Sequence, residues 1–397
     1  MWNPAQSLAE RRAAGLERRQ RTLEPVDGIH ARVDGRELLV FCSNDYLGLA
    51  ADPRLQKAFA AEADLSGVGS GASHFVSGHR PVHDALAERL AAWLHRDRVL
   101  LFATGYMANL GVIDALVGRG DRVHQDRLNH ASLLDGARLS GARLSRYPHL
   151  DMTQLDARLQ RNPGARQLIA SDGVFSMDGD VAPVAAMAQL AARYGAALMV
   201  DDAHGIGVLG RTGGGVLQEA DLGQDAVPLL VGTLGKAAGT FGAFVAGPAD
   251  WIAMLQQQAR TQIYTTASPP ALAAATLAAI DIIEQDDGRR QHLQDLIKRF
   301  RLGAGQLGLR LLTSRTAIQP VLVGDAAEAV AASAELERRG ILVSAIRPPT
   351  VPVASARLRV TLSALHEDRH VDQLLDALGD IPALRRADEA ASAGGAS

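Results

Sequence analysis

The sequence predicts an α/β protein, with a mostly parallel central sheet in a large domain and a smaller α/β domain after it. Three observations lead to this prediction. The chain has 397 residues, which is more than one hydrophobic core usually organises. Short continuous apolar runs alternate with helical stretches, as in parallel sheets whose two faces are covered by helices. The alternation resumes on a smaller scale beyond about residue 290, which predicts the second domain.

The large domain is predicted from a series of such alternations. A basic helix over 11–21 comes first, and RELLVFCSNDYLGLA (36–50) is typical of a strand followed by a loop. The later predicted elements are, in chain order, helix 82–94, strand 98–104, helix 105–117, strand 166–173, helix 184–195, and strands 196–205, 228–236 and 242–247. Strands that are separated by helices in this way indicate a parallel sheet.

The remaining sequence predicts long helices and then the smaller domain. Helical periodicity covers 269–307, after which AIQPVLVG, AEAVAASAELERRGILVSAI and ARLRVTLSA alternate strand, helix and strand. The final RRADEAASAGGAS is poor in apolar residues, which predicts disorder. The expected divisions are an N-terminal segment over 1–45, a large domain over 46–289, a small domain over 290–385 and a disordered tail over 386–397.

The composition indicates a globular protein with a small-molecule partner. Hydrophobic residues make up 47% of the chain and charged residues 21%, and the net charge of -3 gives no electrostatic reason to expect nucleic acid or an anionic membrane. Cys42 is the single cysteine, which excludes an internal disulfide and a thiolate metal cluster. No stretch has the apolar core of a secretion signal or the length of a membrane span, so we expect a cytoplasmic location.

Two short motifs match ligand-binding patterns but lack the context that these patterns need. GIGVLG (205–210) follows a strand as a dinucleotide-binding loop does, but RTGGG stands where a helix should continue. HEDRH (366–370) has the histidine spacing of a zinc metalloprotease helix. It forms a polar entry into VDQLLDAL, which instead predicts the solvated start of a helix. We therefore expect neither a nicotinamide or flavin cofactor nor a metal ion.

Three other stretches contain reactive side chains, and two of them coincide with predicted strand ends. VGTLGKAAGT (231–240) holds Lys236 among small residues, without an acidic neighbour. LMVDDAHG ends a strand in Asp201 and His204, and LNHASLL contains His130. Ligands of open α/β sheets bind at the carboxyl ends of the strands. These residue types suit pyridoxal 5'-phosphate (PLP), which needs an amine for its aldehyde and a carboxylate that keeps its ring nitrogen protonated.

The phosphate of such a cofactor needs hydrogen-bond donors close to the lysine loop. ATGYMANLG opens a helix directly after a strand, so that the amides of Gly105 and Tyr106 lie at a helix N-terminus. Thr233 adds a hydroxyl just before Lys236. We expect Gly105, Tyr106 and Thr233 to bind the phosphate.

Seven segments, which follow one another within residues 11–375, carry a resemblance to a known family. They are SNDYLGLA (43–50), GSGASHFVSG (69–78), LNHASLLDGA (128–137), GVFSMDGDVAP (173–183), MVDDAHGIGVLG (199–210), GTLGKAAGTFGA (232–243) and AIRPPTVP (345–352). In these segments the chain resembles the α-oxoamine synthases, a family of fold-type I PLP enzymes. AIRPPTVP followed by RLRVTLSALH is similar to the branch of this family that serves biotin biosynthesis.

The resemblance implies PLP as the cofactor and gives roles to the residues around it. Lys236 matches the lysine that binds the cofactor aldehyde, and Asp201 matches the partner of the pyridine nitrogen. His204 and Ser176 match groups near the ring hydroxyl. His130 matches the residue that stacks on the ring, and a role as proton donor stays open for it. Lys236, His130, Asp201 and His204 are accordingly the expected catalytic residues.

The resemblance also implies positions for the substrates and for a second subunit. Arg359 matches the arginine that binds the amino-acid carboxylate, for which a planar guanidinium is suited. The other expected substrate-binding residues are Arg18, Asn44, Thr350 and His130. YTTASPP (264–270) is similar to the stretch that supplies Thr265 or Thr266 to the phosphate of a neighbouring subunit, which implies a homodimer.

The activity that the resemblance implies is a decarboxylative condensation of L-alanine with a pimeloyl thioester, with release of the thiol and CO2. The carrier is either coenzyme A or an acyl carrier protein. Two alternatives stay open: a glycine-using member of the family that makes 2-amino-3-ketobutyrate or aminolevulinate, and a PLP-binding regulator without catalysis. The residues before SNDYLGL are too few for the DNA-binding domain that such a regulator carries, and a purely structural protein would not need Lys236, Asp201 and His204 together.

Overall fold

The computed structural model describes residues 2–13, 16–17, 20–161 and 164–384. Its helices are α1 (Pro4–Ala13), α2 (Pro53–Ser66), α3 (Pro81–Leu94), α4 (Gly105–Leu116), α5 (Ala131–Ser140), α6 (Met152–Gln160), α7 (Val184–Tyr194), α8 (Gly215–Glu219), α9 (Ala249–Gln258), α10 (Arg260–Ile263), α11 (Pro270–Gln285), α12 (Asp287–Gln306), α13 (Ala326–Arg338) and α14 (Asp368–Gly379), with a short 3-10 turn at Pro382–Leu384.

The strands form three sheets. They are β1 (Glu24–Pro25), β2 (His30–Val33), β3 (Arg36–Val40), β4 (Arg98–Phe102), β5 (Arg122–Asp126), β6 (Arg143–Tyr147), β7 (Gln167–Asp172), β8 (Ala197–Asp201), β9 (Leu229–Thr233), β10 (Ala243–Gly247), β11 (Ile318–Gly324), β12 (Ile341–Leu342), β13 (Ser344–Ile346) and β14 (Ala356–Thr361).

The largest sheet has seven strands in the order β4-β10-β9-β8-β7-β5-β6. Strand β10 is antiparallel to both of its neighbours, whereas the other pairs are parallel, so the predicted mostly parallel sheet is confirmed. Strands β7 and β10 are buried at every residue. Helices α4, α5 and α9 pack on one face, and α3, α7 and α11 pack on the other. This double cover explains the continuous apolar runs in the sequence.

The register of three neighbouring strands determines where the functional loops begin. Asp172, the last residue of β7, pairs with Asp201, the last residue of β8. Asp201 in turn pairs with Val231 of β9, two residues before Thr233 ends that strand. The loops that follow these strands therefore leave the sheet side by side, at the edge where open α/β sheets bind ligands.

The C-terminal region forms a smaller α/β unit. Its antiparallel sheet has the order β11-β14-β13, and α13 packs on it. A fourth short strand, β12, leaves this unit and pairs in parallel with β3, with Ile341 opposite Leu39. The N-terminal segment and the C-terminal region therefore share a sheet. The domain limits expected from the sequence stay a prediction, and the tail expected over 386–397 lies outside the described residues.

Two local features of the structure differ from what the sequence predicts. Helix α1 ends at Ala13, so the helix expected over 11–21 is wrong at residues 16, 17, 20 and 21. Strands β5 (RVHQD) and β6 (RLSRY) were not predicted, because their polar residues hide the apolar alternation. In the part of the chain that is described, no helix is both long enough and apolar enough to cross a bilayer.

The HEDRH motif begins a helix as expected, but its histidines are not solvated. Glu367 is the N-cap of α14, and only 1% of His366 and 7% of His370 is exposed. The ring of His366 stacks on Phe41, with 4.2 Å between ring centroids, and its Nε2 lies 3.1 Å from the Val40 carbonyl oxygen. The motif is thus a packing contact between α14 and the N-terminal strands, which polarity alone does not reveal.

Candidate active site

A cavity of about 210 Å³ lies at the carboxyl ends of β7, β8 and β9. It brings together residues that the sequence analysis singled out in separate stretches. The lining residues are Gly105, Tyr106, His130, Ser132, Asp172, Ser176, Asp201, Ala203, His204, Thr233 and Lys236. Eight of them were expected to contact the cofactor, whereas Ser132, Asp172 and Ala203 were not.

Lys236 is the cation of this cavity. It follows β9, and its Nζ lies 2.8 Å from Nε2 of His204. Burial lowers the pKa of Lys236 to about 8, although the carboxylates of Asp201 and Asp172 act in the opposite direction. A lysine with this pKa has a substantial neutral fraction near neutral pH, which is the form that attacks an aldehyde.

A glycine holds the lysine loop against an earlier part of the chain. Gly239 has a φ of +67°, and a Cβ at this position would lie 2.4 Å from the Ala50 backbone nitrogen and 2.5 Å from the Leu49 carbonyl carbon. The loop after Lys236 therefore packs directly on the SNDYLGLA segment, which leaves no room for a side chain.

His204 connects the lysine to a buried hydrogen-bond network. Its Nδ1 lies 2.7 Å from the Tyr46 hydroxyl, and that hydroxyl lies 3.1 Å from Oδ1 of Asn44. Burial and the nearby charge of Lys236 lower the pKa of His204 well below its ordinary value, so its ring is neutral. One consistent arrangement has the lysine amine donating to Nε2, Nδ1 donating to Tyr46, and Tyr46 donating to Asn44.

Arg359 is attached to the same network. Its Nε donates to the Ser176 carbonyl oxygen at 2.6 Å, and both terminal nitrogens lie 3.3 Å from Oδ1 of Asn44. One of them also lies 3.5 Å from the Tyr46 hydroxyl. These contacts hold a mostly buried guanidinium beside the cavity without a carboxylate among them, so its charge is available to an anionic ligand.

Asp201 is the carboxylate at the end of β8. Its Oδ2 accepts a hydrogen bond from Nδ2 of Asn109 at 2.5 Å, and its Oδ1 accepts one from the Ala203 amide at 3.1 Å. Asn109 lies on α4 and also donates to the Ser132 hydroxyl at 2.8 Å. Two donors therefore fix the Asp201 carboxylate. Asn109 was not predicted, although it lies within the quoted stretch ATGYMANLG.

His130 lies at the mouth of the cavity, at the N-cap of α5. Its backbone amide donates to Oδ2 of Asp172 at 2.8 Å, and its Nδ1 accepts from the Ser132 amide at 3.3 Å. Partial desolvation lowers the pKa of the His130 ring, while burial and the charge of Asp201 raise the pKa of Asp172 well above its ordinary value. Its Nδ1 also lies 2.7 Å from the Ser132 hydroxyl, and one consistent arrangement has Nδ1 accepting both hydrogen bonds, with the proton of the neutral ring on Nε2.

The N-terminus of α4 supplies amide donors to the cavity. Thr104 is its N-cap and accepts from the Met107 amide, which leaves the amides of Gly105 and Tyr106 without helical acceptors. A Cβ at Gly105 would meet no atom within 4 Å, so there is space above this amide. Amides at a helix N-terminus, a fixed carboxylate and a low-pKa lysine in one cavity together fit PLP.

The remaining expected residues have different positions. Thr350 lines a second cavity, of about 450 Å³, which shares His130 and Ser176 with the first. Thr265 and Thr266 lie between α10 and α11 and line neither cavity, so their expected contribution to a neighbouring subunit stays a prediction. Arg18 lies outside the described residues.

His149 supports the loop that carries Ser176. Its Nδ1 lies 3.0 Å from Asp126 and its Nε2 lies 2.7 Å from Asp180. Burial disfavours the charged ring, but the hydrogen bonds to both carboxylates outweigh it and raise the pKa of His149 to about 9. The charged His149 thus links the end of β5 to the 173–181 loop. Sequence reasoning missed it because its two partners are distant in the chain.

Two other features lie apart from this site. A groove of about 940 Å³, lined chiefly by apolar residues, runs beside the amino ends of β7 and β8 and contains none of the expected site residues. The nitrogens of His74, His79 and His83 approach within 4.8 Å of one another, and Nδ1 of His74 and Nδ1 of His79 are 2.7 Å apart. The expectation that no metal binds stays a prediction.

The chain is similar to known proteins over most of its length. Residues 36–378 match the model of the aminotransferase class I and II family. The 8-amino-7-oxononanoate synthase of Alkalilimnicola ehrlichii is 60% identical over 378 residues, which cover 95% of this chain and 97% of that protein.

Solved structures are similar over most of the chain as well. A structure of serine palmitoyltransferase from S. paucimobilis with a bound PLP-myriocin aldimine has a TM-score of 0.90 and 28% identity, and the match covers 94% of this chain and 96% of that one. The structure of an 8-amino-7-oxononanoate synthase from Francisella tularensis has a TM-score of 0.76 and 29% identity, and covers 86% of this chain and 97% of that one.

Proposed function

Because the chain belongs to the aminotransferase class I and II family, together with the 8-amino-7-oxononanoate synthases, we propose that it condenses L-alanine with a pimeloyl thioester. The products are 8-amino-7-oxononanoate, the free thiol and CO2, and the reaction is a step of biotin biosynthesis. The predicted fold-type I architecture and PLP dependence are confirmed by the family match and by the PLP-bound structural neighbour. The protein is a PLP-dependent acyltransferase.

One observation carries the proposal: a low-pKa lysine, a fixed carboxylate and the N-terminus of α4 share one cavity. When bound, PLP supplies an aldehyde for the amino group of the substrate and a protonated ring that withdraws electrons from its α-carbon. Asp201 holds the proton on the ring nitrogen, and Asn109 together with the Ala203 amide keeps Asp201 oriented for this task.

Lys236 has two tasks in the proposed reaction. Its amine binds the cofactor before alanine arrives, and it then takes the proton from the α-carbon of alanine. A base is most effective when its pKa is close to the working pH, and the pKa of about 8 meets this condition. The hydrogen bond to His204 limits where the amine can lie.

Arg359 binds the carboxylate of alanine. Its Nε contact with the Ser176 carbonyl and its contacts with Asn44 orient the guanidinium, so little side-chain freedom is lost when the substrate binds. His130 lies where the two cavities meet, and its Nε2 carries the proton. The Nε2–H of His130 donates to the carbonyl oxygen of the thioester as negative charge develops on that oxygen. The other role proposed for the His130 ring is stacking on the cofactor.

The proposal includes a homodimer, a cytoplasmic location, and either coenzyme A or an acyl carrier protein as the thiol. The single cysteine supports a reducing compartment. The supply of Thr265 or Thr266 by a neighbouring subunit is supported by the observation that neither residue lines the cavity of its own chain.

The test is thiol release by the purified holoenzyme. L-Alanine and glycine are each offered with acetyl, pimeloyl and palmitoyl thioesters of coenzyme A, and the Lys236→Ala variant serves as the blank. The proposal expects the highest kcat/KM for L-alanine with pimeloyl-CoA. Higher turnover with glycine, or with the acetyl or palmitoyl thioester, contradicts it.

A further inference from the structure

The second cavity opens onto the reaction site, and half of its sixteen lining residues are apolar. Its volume is about 450 Å³, and it shares His130 and Ser176 with the PLP cavity. A molecule in it therefore has one end beside the reacting atoms. The apolar lining includes Leu128, Leu134, Phe175, Met177, Pro349 and Val351. Such a surface binds a chain of methylene groups.

The same cavity also contains an excess of positive charge. Arg357 is buried and paired with Asp178, so these two charges compensate each other. Arg127 and Arg146 line the cavity as well, and neither has a carboxylate partner within the described ranges. A terminal nitrogen of Arg146 donates to the carbonyl oxygen of Arg127, which keeps the two residues together. An apolar lining with two uncompensated guanidiniums matches an acyl chain that carries an anion.

We infer that this cavity is the acyl subsite and that Arg127 and Arg146 bind the terminal carboxylate of the acyl chain. The inference rests on the proposed function and deepens it, because it explains how a dicarboxylic monothioester is chosen over a fatty thioester of equal length. Both arginine side chains are exposed to solvent, and a fatty acyl chain offers them no anion. A dicarboxylic one completes two charge-assisted hydrogen bonds.

The charge of these arginines is the property to test. In the variants Arg127→Gln, Arg146→Gln and the double variant, the side chains stay polar and similar in length but lose the cation. Pimeloyl-CoA is compared with heptanoyl-CoA, which has the same chain length without the terminal carboxylate. We expect kcat/KM for pimeloyl-CoA to fall about tenfold in each single variant and further in the double variant, while the value for heptanoyl-CoA stays unchanged.

A matched control lies on the same strand. Arg143 is exposed on β6, three positions before Arg146, and does not line the cavity. Arg143→Gln removes the same charge from the same strand, so it should leave both kcat/KM values unchanged. An equal fall with pimeloyl-CoA and heptanoyl-CoA in the Arg127 or Arg146 variants would mean that these arginines contact the coenzyme A phosphates, and would overturn the inference. The inference would also be overturned if the ratio of kcat/KM for pimeloyl-CoA to kcat/KM for heptanoyl-CoA were unchanged in the double variant.

Binding of free pimelate separates this inference from the proposed function. Calorimetry with the holoenzyme should show that pimelate binds more tightly than heptanoate to the wild type, and that the double variant loses this preference. If the wild type releases thiol with alanine from neither pimeloyl-CoA nor the pimeloyl thioester of an acyl carrier protein, the proposed function is wrong, and the calorimetric preference still decides the subsite. Equal binding of pimelate by the wild type and the double variant overturns the subsite whatever the turnover shows.

Discussion

The Nζ atom of Lys236 lies 2.8 Å from Nε2 of His204, in a cavity where burial lowers the pKa of both side chains. The neutral ring of His204 can accept a hydrogen bond from the amine whether or not the amine is protonated. The pair therefore keeps the lysine in one position on both sides of its pKa, which lies near 8 instead of at the ordinary 10.5. The first two predictions follow from this pair.

Recombination of the apo-protein with PLP should accelerate as the pH rises through about 8 and then level off. Only the neutral amine of Lys236 attacks the aldehyde, and above its pKa the neutral fraction no longer grows. Stopped-flow absorbance from about pH 6.5 to about pH 10 measures the rate. Nα-acetyl-lysine with PLP is the control and should still accelerate at the upper end. If the rate for the apo-protein rises with pH in parallel with the rate for Nα-acetyl-lysine, the pKa of Lys236 is not lowered.

Tyr46→Phe should lower kcat and shift the alkaline side of the activity profile. The change removes the hydroxyl from Nδ1 of His204, and a buried nitrogen without a partner costs about 1–3 kcal/mol. The ring of His204 then orients Lys236 less well, so we expect kcat to fall about tenfold. Steady-state kinetics against pH measures both effects. Tyr194→Phe on α7 is the control and should leave kcat unchanged. If Tyr46→Phe has as little effect as Tyr194→Phe, the hydrogen-bond network of His204 and Tyr46 has no role in catalysis.

Asn109→Ala should weaken the contact of Asp201 with the cofactor ring. Asp201 loses its 2.5 Å hydrogen bond, and bonds to charged groups contribute about 1.5–3 kcal/mol. We expect kcat/KM for alanine to fall at least about tenfold, together with a change in the absorbance spectrum of bound PLP. Asn109→Asp places a like charge beside Asp201 and should be more harmful. An Asn109→Ala enzyme with an unaltered spectrum and full activity contradicts the role.

His149 should make the folding stability depend on pH on the alkaline side. Its pKa is about 9 in the folded protein and 6.5 ordinarily, so the stabilisation is fully present below pH 6.5 and is lost as the pH rises through 9. The loss is at most about 3–4 kcal/mol, and solvent screening reduces it because the side chain is partly exposed. Denaturant unfolding of the wild type and His149→Gln across this range measures it. The variant should have a flatter profile, and His95→Asn, at an exposed helix end, should keep the wild-type slope.

Gly239→Ala should disturb the lysine loop, whereas a glycine elsewhere should accept the same change. The new Cβ would lie 2.4 Å from the Ala50 nitrogen at a φ of +67°, so the loop must move away from the SNDYLGLA segment. We expect a loss of about 1–3 kcal/mol in unfolding free energy and weaker PLP binding. Gly305→Ala, inside α12 with open space around it, should instead stabilise the protein by about 0.5–1 kcal/mol. If both changes altered the free energy of unfolding equally, the lysine loop would not pack as closely on the SNDYLGLA segment as the structure shows.

The sequence indicates that Asp201 and Lys236 lie close together because one ends a strand and the other follows one. Asp201 and Lys236 lie beyond apolar runs that are readable in the sequence, and parallel strands bring their ends together. Tyr46 and Asn109 were quoted within motifs but not assigned. Their partners, His204 and Asp201, are 158 and 92 residues away, and a single sequence holds no record of such contacts.

Buried polar residues limit prediction from periodicity. In β5, His124 and Gln125 are fully buried, and their side chains pair with Gln167 and the Leu133 carbonyl. A strand of this kind has no apolar alternation, so its position depends on hydrogen bonds formed only in the folded state. His366 is a similar case, since its ring is covered by Phe41 from the far end of the chain.

The pairing of β12 with β3 has a consequence for synthesis on the ribosome. The β2-β3 hairpin is made early, but the strand that completes its sheet is made only after the whole seven-stranded sheet has emerged. Until then the outer edge of β3 exposes unsatisfied backbone groups to any passing strand. The nascent chain therefore carries an unpaired strand edge near its beginning until β12 has been made.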